Sequence, residues 1–69
     1  MNCLSFVNDV GCTIYINIEQ ILMFYYLAIE DKTYIQMKND NYCRINGNKT
    51  IEISKIITAA TTGTICKLG

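Results

Sequence analysis

The feature that most constrains this chain is the run ILMFYYLAI at residues 21–29, nine apolar or aromatic residues in succession within a chain of 69. A membrane-spanning helix needs about 20 predominantly apolar residues, and Glu19 and Glu30 flank this run, so it is not predicted to cross a bilayer. Its length and its aromatic and Ile content are typical of a β-strand. A short helix over residues 18–29 is the alternative.

The two faces of this strand bear on assembly. Alternation places Ile21, Met23, Tyr25, Leu27 and Ile29 on one face and Leu22, Phe24, Tyr26 and Ala28 on the other. A chain of this length forms one domain, residues 1–69, with a single small core that covers only one of these faces. The other face must curl into a barrel or meet a second chain. We therefore predict a homo-oligomer whose interface includes Leu22, Phe24 and Tyr26.

Two further segments predict antiparallel hairpins. Residues 3–18 alternate around the turn sequence NDVG, with Leu4 and Phe6 before it and Ile14, Ile16 and Ile18 after it on the buried side. The stretches TYIQMKN and YCRI alternate in the same way around Asn39, Asp40 and Asn41, which supply a tight turn. In these strands Ile35, Met37, Cys43 and Ile45 are predicted to face inward.

The hydrophobic period changes after residue 48. Apolar residues then recur at the spacing of an amphipathic helix, at Ile53, Ile56, Ile57 and Ala60. Asn48 or Thr50 can cap its first amides, Gly63 can end it, and TICKL can add a last short strand. The fold class predicted is α+β: a small antiparallel meander, or an SH3-like partly open barrel, of about five strands with one C-terminal amphipathic helix.

The four cysteines indicate a reducing compartment. Cys3, Cys12, Cys43 and Cys66 show neither a CxxC pair nor regular spacing, and the start MNCLSFVND lacks the basic and apolar regions of a secretory signal. We expect free, structural thiols in the cytoplasm. A disulfide or a zinc site is the less favoured alternative, and no metal or other cofactor is predicted.

The residue inventory argues against catalysis. The chain has no histidine, and none of the motifs GxSxG, GxGxxG, HExxH or a Walker loop is present. Its acidic residues fall mostly in predicted turns, where solvated carboxylates are expected. The formal net charge is zero, which argues against double-stranded nucleic acid as a partner because such a partner requires a clustered basic patch. We predict that the protein is not an enzyme.

The outward sides of the strands supply the candidate ligand-binding residues, which are Tyr15, Tyr34, Lys38, Tyr42 and Arg44. Tyrosine rings can stack on a nucleobase, and the two cations can hold phosphate. An ordinary solvent-facing sheet surface is the alternative, since tyrosine has a high strand propensity.

Three stretches carry a resemblance to a known family: NDVGCTIYINIEQI, TYIQMKN and EISKII. They resemble the FlbD family of small flagellar and swarming-motility proteins over about residues 4–57. That family runs from a strand, a turn and a strand ending in Asn and Ile, through a Thr-led strand and a further strand, to an amphipathic helix. Here residues 39–41 replace the family's Asn-Gly turn, and residues 45–47 replace its acid-serine pair. The resemblance implies a motility adaptor and offers no catalytic residues.

Two functions are consistent with these features. The first is a small non-enzymatic inhibitor, encoded by a phage or mobile element, that blocks a bacterial defence system. It would bind a bacterial protein partner, or sequester a small nucleotide as a homo-oligomer. The over-use of Ile, Asn, Lys and Tyr, typical of AT-rich genes, favours this origin. The second is the FlbD-like flagellar adaptor.

Overall fold

The computed structural model describes residues 2–59 with side chains and residues 65–67 as backbone. Its elements are β1 (Cys3–Val7), β2 (Thr13–Asn17), a 3-10 turn (Ile18–Gln20), β3 (Ile21–Leu27), β4 (Lys32–Met37), β5 (Tyr42–Asn46), α1 (Thr50–Ala59) and β6 (Ile65–Lys67). These strands form two three-stranded sheets, with strand orders β2-β1-β6 and β3-β4-β5. The α+β prediction is confirmed.

The apolar run at residues 21–29 is a strand over Ile21–Leu27, so the helical alternative is wrong. In the described part of the chain, no helix has the length and hydrophobicity needed to cross a membrane.

The first sheet is built on the predicted hairpin of β1 and β2, which pair antiparallel. The turn between them is closed by Asn8, whose Oδ1 accepts hydrogen bonds from the backbone N–H groups of Val10 and Cys12 at 3.1 and 2.8 Å. Gly11 supplies the positive φ of 88° that the reversal needs. The predicted last strand is present as β6, and it pairs parallel to β1.

The second sheet is the predicted meander, formed by β3, β4 and β5 in antiparallel order. It does not continue into β1 and β2, because the 3-10 turn redirects the chain between β2 and β3. Asn17 caps this turn by accepting a hydrogen bond from the Glu19 N–H at 3.0 Å. At the β4–β5 reversal, Asp40 takes a positive φ of 71°, as the turn signal at residues 39–41 predicted.

The core lies between the two sheets and α1. Its buried hydrophobic residues in the described chain are Leu4, Phe6, Ile35, Met37, Ile45 and Ile53. Partly buried residues pack against them: Ile14, Ile16, Ile18, Ile21, Phe24, Cys43, Ile56 and Ile57. The inward faces predicted for β1, β2, β4, β5 and the helix are therefore confirmed.

Strict alternation along β3 was wrong at one position. The pairing of β3 with β4 shifts register between Ile21 and Met23, which is the signature of a β-bulge. As a result Ile21 and Phe24 both pack against the core, although alternation places them on opposite faces.

The start of α1 is fixed by two polar residues. Asn48 Oδ1 accepts a hydrogen bond from the Thr50 N–H at 3.1 Å, as predicted for a capping residue. Thr33 Oγ1, fully buried on β4, accepts one from the Lys49 N–H at 2.8 Å and donates one to the Gly47 carbonyl at 2.7 Å. Thr33 thereby anchors the loop before the helix to the second sheet. Ala60 and Gly63, predicted in and after the helix, lie outside the described residues.

Candidate functional site

The second sheet turns one face away from the core, and we call this the outer face. It consists of the residues that alternate with the buried positions of the sheet: Met23, Tyr25, Leu27, Lys32, Tyr34, Gln36, Tyr42, Arg44 and Asn46. Cross-strand register aligns Tyr25 with Tyr34 and Tyr34 with Arg44. The face therefore contains three tyrosines on three adjacent strands.

The three tyrosine rings form one stack across the sheet. The ring centroids of Tyr25 and Tyr34 lie 5.4 Å apart with an interplanar angle of 3°. Those of Tyr34 and Tyr42 lie 5.9 Å apart at 28°. Arg44 extends the stack, with its Cζ 5.9 Å from the centroid of the Tyr42 ring. Such aromatic and cation–π contacts each add stabilisation beyond the burial of area.

This packing determines which parts of the rings a partner can reach. Tyr34 lies between Tyr25 and Tyr42, so both faces of its ring are covered by neighbouring rings. The ring edges, rather than the faces, are thus directed away from the sheet. A nucleobase could stack on Tyr34 only if one of its neighbours moved.

One carboxylate, that of Asp9, pairs with two cations at the border of the outer face. Asp9, in the β1–β2 turn, lies with its Oδ2 3.2 Å from Arg44 Nε and 3.3 Å from Lys32 Nζ. The Asp9 side chain is only 9% exposed, whereas those of Lys32 and Arg44 are 30% and 43% exposed. The Asp9 carboxylate, and after it the Tyr34 hydroxyl, raises the pKa of Arg44. The guanidinium is thus held in position and remains partly accessible.

Two tyrosine hydroxyls of this sheet donate to carboxylates in the β3–β4 turn. The Tyr34 hydroxyl donates to Glu30 Oε1, and the Tyr26 hydroxyl donates to Asp31 Oδ1 at 2.6 Å. These hydrogen bonds are the main reason why the pKa values of both tyrosines are raised. The bonds tie the turn to the sheet and keep Tyr34 and Tyr26 in their neutral forms.

Large apolar side chains remain in solvent on and beside the outer face. Tyr42 is 54% exposed and Met23 48%, and Leu22 and Leu27 are exposed as well. Tyr, Met and Arg are the residue types enriched at protein interfaces. The outer face has this composition.

The structure brings together some of the predicted ligand-binding residues. Tyr34, Tyr42 and Arg44 share the outer face. Tyr15 lies on β2 in the first sheet, exposed and paired with Ser5. Lys38 is exposed in the turn after β4, where its N–H donates to the Gln20 carbonyl at 2.8 Å; it has no described contact with the tyrosines.

The predicted interface residues occupy different environments. Phe24 packs against the core cluster, and Tyr26 is half-buried beside Asp31. Leu22 is 62% exposed at the bulge.

Sequence reasoning missed Tyr25 and Asp9 as members of this site. Tyr25 was correctly grouped with Met23 and Leu27, but the predicted interface at Leu22, Phe24 and Tyr26 left this group on the covered face, whereas in the structure it lies on the outer face. The pairing of Tyr25 with Tyr34 also depends on the register of the β3–β4 hairpin. The signal that could have set this register is the four-residue turn at residues 28–31, which places Leu27 opposite Lys32. No local signal links Asp9 to Arg44, because the two lie in different sheets.

Neither a metal cluster nor a disulfide is seen among the described side chains. No group of three or more His, Cys, Asp and Glu residues comes together there to hold a metal ion. The thiols of Cys3, Cys12 and Cys43 are free, and burial raises the pKa of the Cys43 thiol, so that it stays protonated. Cys43 packs against the core cluster, in agreement with a structural role.

A scan against protein-family models, a search of curated proteins and a search of solved structures each found no match to this chain.

Proposed function

We propose that this is a small non-enzymatic binding protein whose outer face docks onto a partner protein. The observation that carries the proposal is the continuous stack of Tyr25, Tyr34 and Tyr42, ending in Arg44, on a solvent-facing sheet surface. Rigid aromatic side chains bury a large area with little loss of conformational entropy, and they dominate the energetics of protein interfaces.

A protein partner fits this surface better than a nucleotide does. Stacking of a base requires an open ring face, and Tyr34, the middle ring, has a neighbouring ring on either side. Among the three rings a base could therefore stack only at an end of the row, such as the open face of Tyr25. A protein partner needs only the ring edges, the hydroxyl of Tyr42 and the apolar side chains around them. Sequestration of a nucleotide is therefore an outcome for the experiment to detect rather than the proposal itself.

The charges on the face indicate the chemistry of the partner. Arg44 and Lys32 are both cations, and the Asp9 carboxylate that pairs with them lies deeper than either. The Glu30 carboxylate beside this face accepts the hydrogen bond of the Tyr34 hydroxyl. Arg44 faces Asp9 through its Nε at 3.2 Å and is 43% exposed, so its guanidinium can meet a second acceptor. The complementary surface is apolar, with a carboxylate positioned to meet Arg44.

In its most specific form, the proposal is that the protein comes from a phage or mobile element and inhibits a bacterial defence complex by covering one of its surfaces. What supports this form is the AT-rich residue usage together with the lack of histidine and of catalytic motifs. A second candidate is the FlbD-like motility adaptor. It is favoured by the order of elements from β1 through β5 to α1, which follows the order the resemblance implies.

The experiment compares three tagged forms in capture from bacterial lysates: the unaltered chain, Tyr42→Ala and Tyr15→Ala. Tyr42 and Tyr15 are both exposed strand tyrosines, 54% and 66% respectively, but only Tyr42 belongs to the outer face. The expected result is a protein retained by the unaltered chain and by Tyr15→Ala and lost with Tyr42→Ala. Loss with Tyr15→Ala alone, or equal retention by all three forms, would contradict the proposal.

The identity of the retained protein separates the two candidates. A component of a defence system supports the inhibitor, and a flagellar component supports the adaptor. A thermal-shift screen against cyclic and linear nucleotides runs in parallel, because a ligand that binds only the folded state raises apparent stability. If a nucleotide raises the melting temperature of the unaltered chain but not of Tyr42→Ala, the outer face binds a nucleotide and the proposal of a protein partner is wrong.

A further inference from the structure

We infer that β3 is a pairing edge for a second copy of this chain, which joins two second sheets into one continuous six-stranded sheet. The inference concerns the backbone edge of β3, whereas the proposed function concerns the outer face, so either can fail without the other.

The two edges of the second sheet differ in how they are protected. At the β5 edge, the Arg44 carbonyl accepts a hydrogen bond from the Asp9 N–H at 2.9 Å, so the β1–β2 turn occupies part of that edge. At the other edge, β3 pairs with β4 and with no other strand among residues 2–59 and 65–67. Alternate residues of an edge strand direct unpaired N–H and C=O groups outward, which makes the edge a template for a further strand.

The sequence of β3 lacks most of the devices that block such pairing. Its seven residues, ILMFYYL, include no charged residue and no proline. The one irregularity is the bulge between Ile21 and Met23, at the start of the strand. From Met23 to Leu27 the register with β4 is regular. Natural edge strands of this length usually carry a lysine, a proline or a central bulge.

A second copy fits this edge because the strand is compatible with itself. Antiparallel pairing about a two-fold axis brings the same segment of each chain together, so any charge near the axis would face its own copy. β3 has no charge to place there. Strand addition of this kind gains main-chain hydrogen bonds along the whole contact.

The aromatic stack indicates the register of the pairing. One face of the Tyr25 ring is covered by Tyr34, and the described residues place no ring against its other face, on the β3 side. If Tyr25 lies opposite Tyr25 of the second copy, the two tyrosine stacks join into one. Directly opposed residues on one face of an antiparallel pair are close enough for such aromatic contact.

The size of the chain gives an independent reason for association. A single core in a 69-residue domain is expected to supply only about 3–5 kcal/mol, and oligomerisation is one common supplement. In the described chain the fully or nearly fully buried apolar residues number six.

The test compares three chains: the unaltered chain, Tyr25→Lys and Tyr15→Lys. The molar mass of each is measured by light scattering over a range of micromolar concentrations. A lysine at residue 25 faces its own copy across the axis, and like charges in direct opposition oppose pairing. Tyr15→Lys makes the same change on β2, which is also an edge strand but of the first sheet. We expect twice the monomer mass of 7.9 kDa for the unaltered chain and for Tyr15→Lys, and the monomer mass for Tyr25→Lys. Circular dichroism checks that each variant is folded.

Amide hydrogen exchange on the unaltered chain keeps the inference testable if Tyr25→Lys does not fold. Exchange from β3 should slow more steeply with rising protein concentration than exchange from β5, because pairing protects the β3 edge directly and β5 only through the stability of the whole domain. A monomer at every concentration would overturn the inference. So would a dimer that survives in folded Tyr25→Lys, or one whose β3 amides exchange independently of concentration, because its interface must then lie elsewhere.

Discussion

Asp9 and Arg44 are joined twice, once through the backbone and once through their side chains. The Asp9 N–H donates to the Arg44 carbonyl at 2.9 Å, and Asp9 Oδ2 lies 3.2 Å from Arg44 Nε. The pair connects the turn of the first sheet to the edge of the second, and it fixes the cation that ends the tyrosine stack. This one contact therefore holds the two sheets together and also positions a residue of the candidate binding surface.

Asp9→Asn should lower thermal stability at low salt, because it removes the negative charge that both Lys32 and Arg44 face. Salt screens ion pairs whose members are partly exposed, so the loss should shrink as ionic strength increases. The measurement is the unfolding midpoint at low and high salt. Glu19→Gln is the control, since Glu19 is exposed and takes part in none of the described ion pairs. Equal effects of the two substitutions would remove the role assigned to Asp9.

Thr33→Val should destabilise the fold by about 2 kcal/mol, because the variant removes a buried hydroxyl and leaves two partly buried backbone groups without the partner they have now. Those groups are the Gly47 carbonyl and the Lys49 N–H, at 2.7 and 2.8 Å from Thr33 Oγ1. Thr33→Ser retains the hydroxyl and should recover much of the loss. Denaturant unfolding measures both variants; a Val variant as stable as the parent chain would show that these hydrogen bonds contribute little.

Ile53→Ala should cost about 2–5 kcal/mol, since Ile53 is fully buried and its truncation leaves a cavity. For a domain of this size that loss approaches the whole stability, so we expect a largely unfolded variant by circular dichroism. Ile51 lies on the same helix but is 65% exposed, and Ile51→Ala should stay within about 0.5 kcal/mol of the parent. Similar losses in the two variants would mean that α1 packs through a different face.

Alkaline pH should destabilise the protein through Tyr26 and Tyr34. Hydrogen bonds to Asp31 and Glu30 raise their pKa values in the folded state above the ordinary 10.0. A raised pKa means that the fold favours the neutral form, so this contribution is complete below the unfolded tyrosine pKa and is lost as pH rises through the folded values.

The comparison to make is of unfolding free energy against pH for the parent chain, Tyr34→Phe and Tyr15→Phe. Loss of stability above pH 10.0 should be weaker in Tyr34→Phe, which has no hydroxyl to ionise. It should be unchanged in Tyr15→Phe, because the Tyr15 hydroxyl makes none of the described hydrogen bonds. Identical pH profiles for all three forms would contradict the role of the Tyr34 hydroxyl.

Local patterns predicted most of the secondary structure, because each depended on residues near one another in the chain. Alternation placed Leu4, Phe6 and Ile35 in the core, and the turn chemistry of Asn8 closes the first hairpin as expected. The helical period placed Ile53 inward.

The composition of the site could not be read in the same way, because it depends on long-range pairing. Tyr15 was grouped with Tyr34 and Tyr42 by its outward position, yet β2 belongs to a different sheet. Phe24 was assigned to an interface, and the bulge in β3 leaves it against the core. Alternation assigns a residue to a side of its own strand; which strands become neighbours is decided by the packing of the whole core.

Partner affinity tests the central claim, that the outer face is the binding surface, most directly. Once a protein retained by the unaltered chain is in hand, its Kd is measured by calorimetry with the parent chain, Tyr42→Ala and Tyr15→Ala. Truncating a tyrosine that is a hot spot of an interface costs about 2 kcal/mol or more, and about 1.4 kcal/mol corresponds to a tenfold change in Kd. We predict at least a tenfold weaker Kd for Tyr42→Ala and an unchanged Kd for Tyr15→Ala. An unchanged Kd for Tyr42→Ala, with the loss at Tyr15→Ala instead, would place the binding surface on the first sheet and contradict the claim.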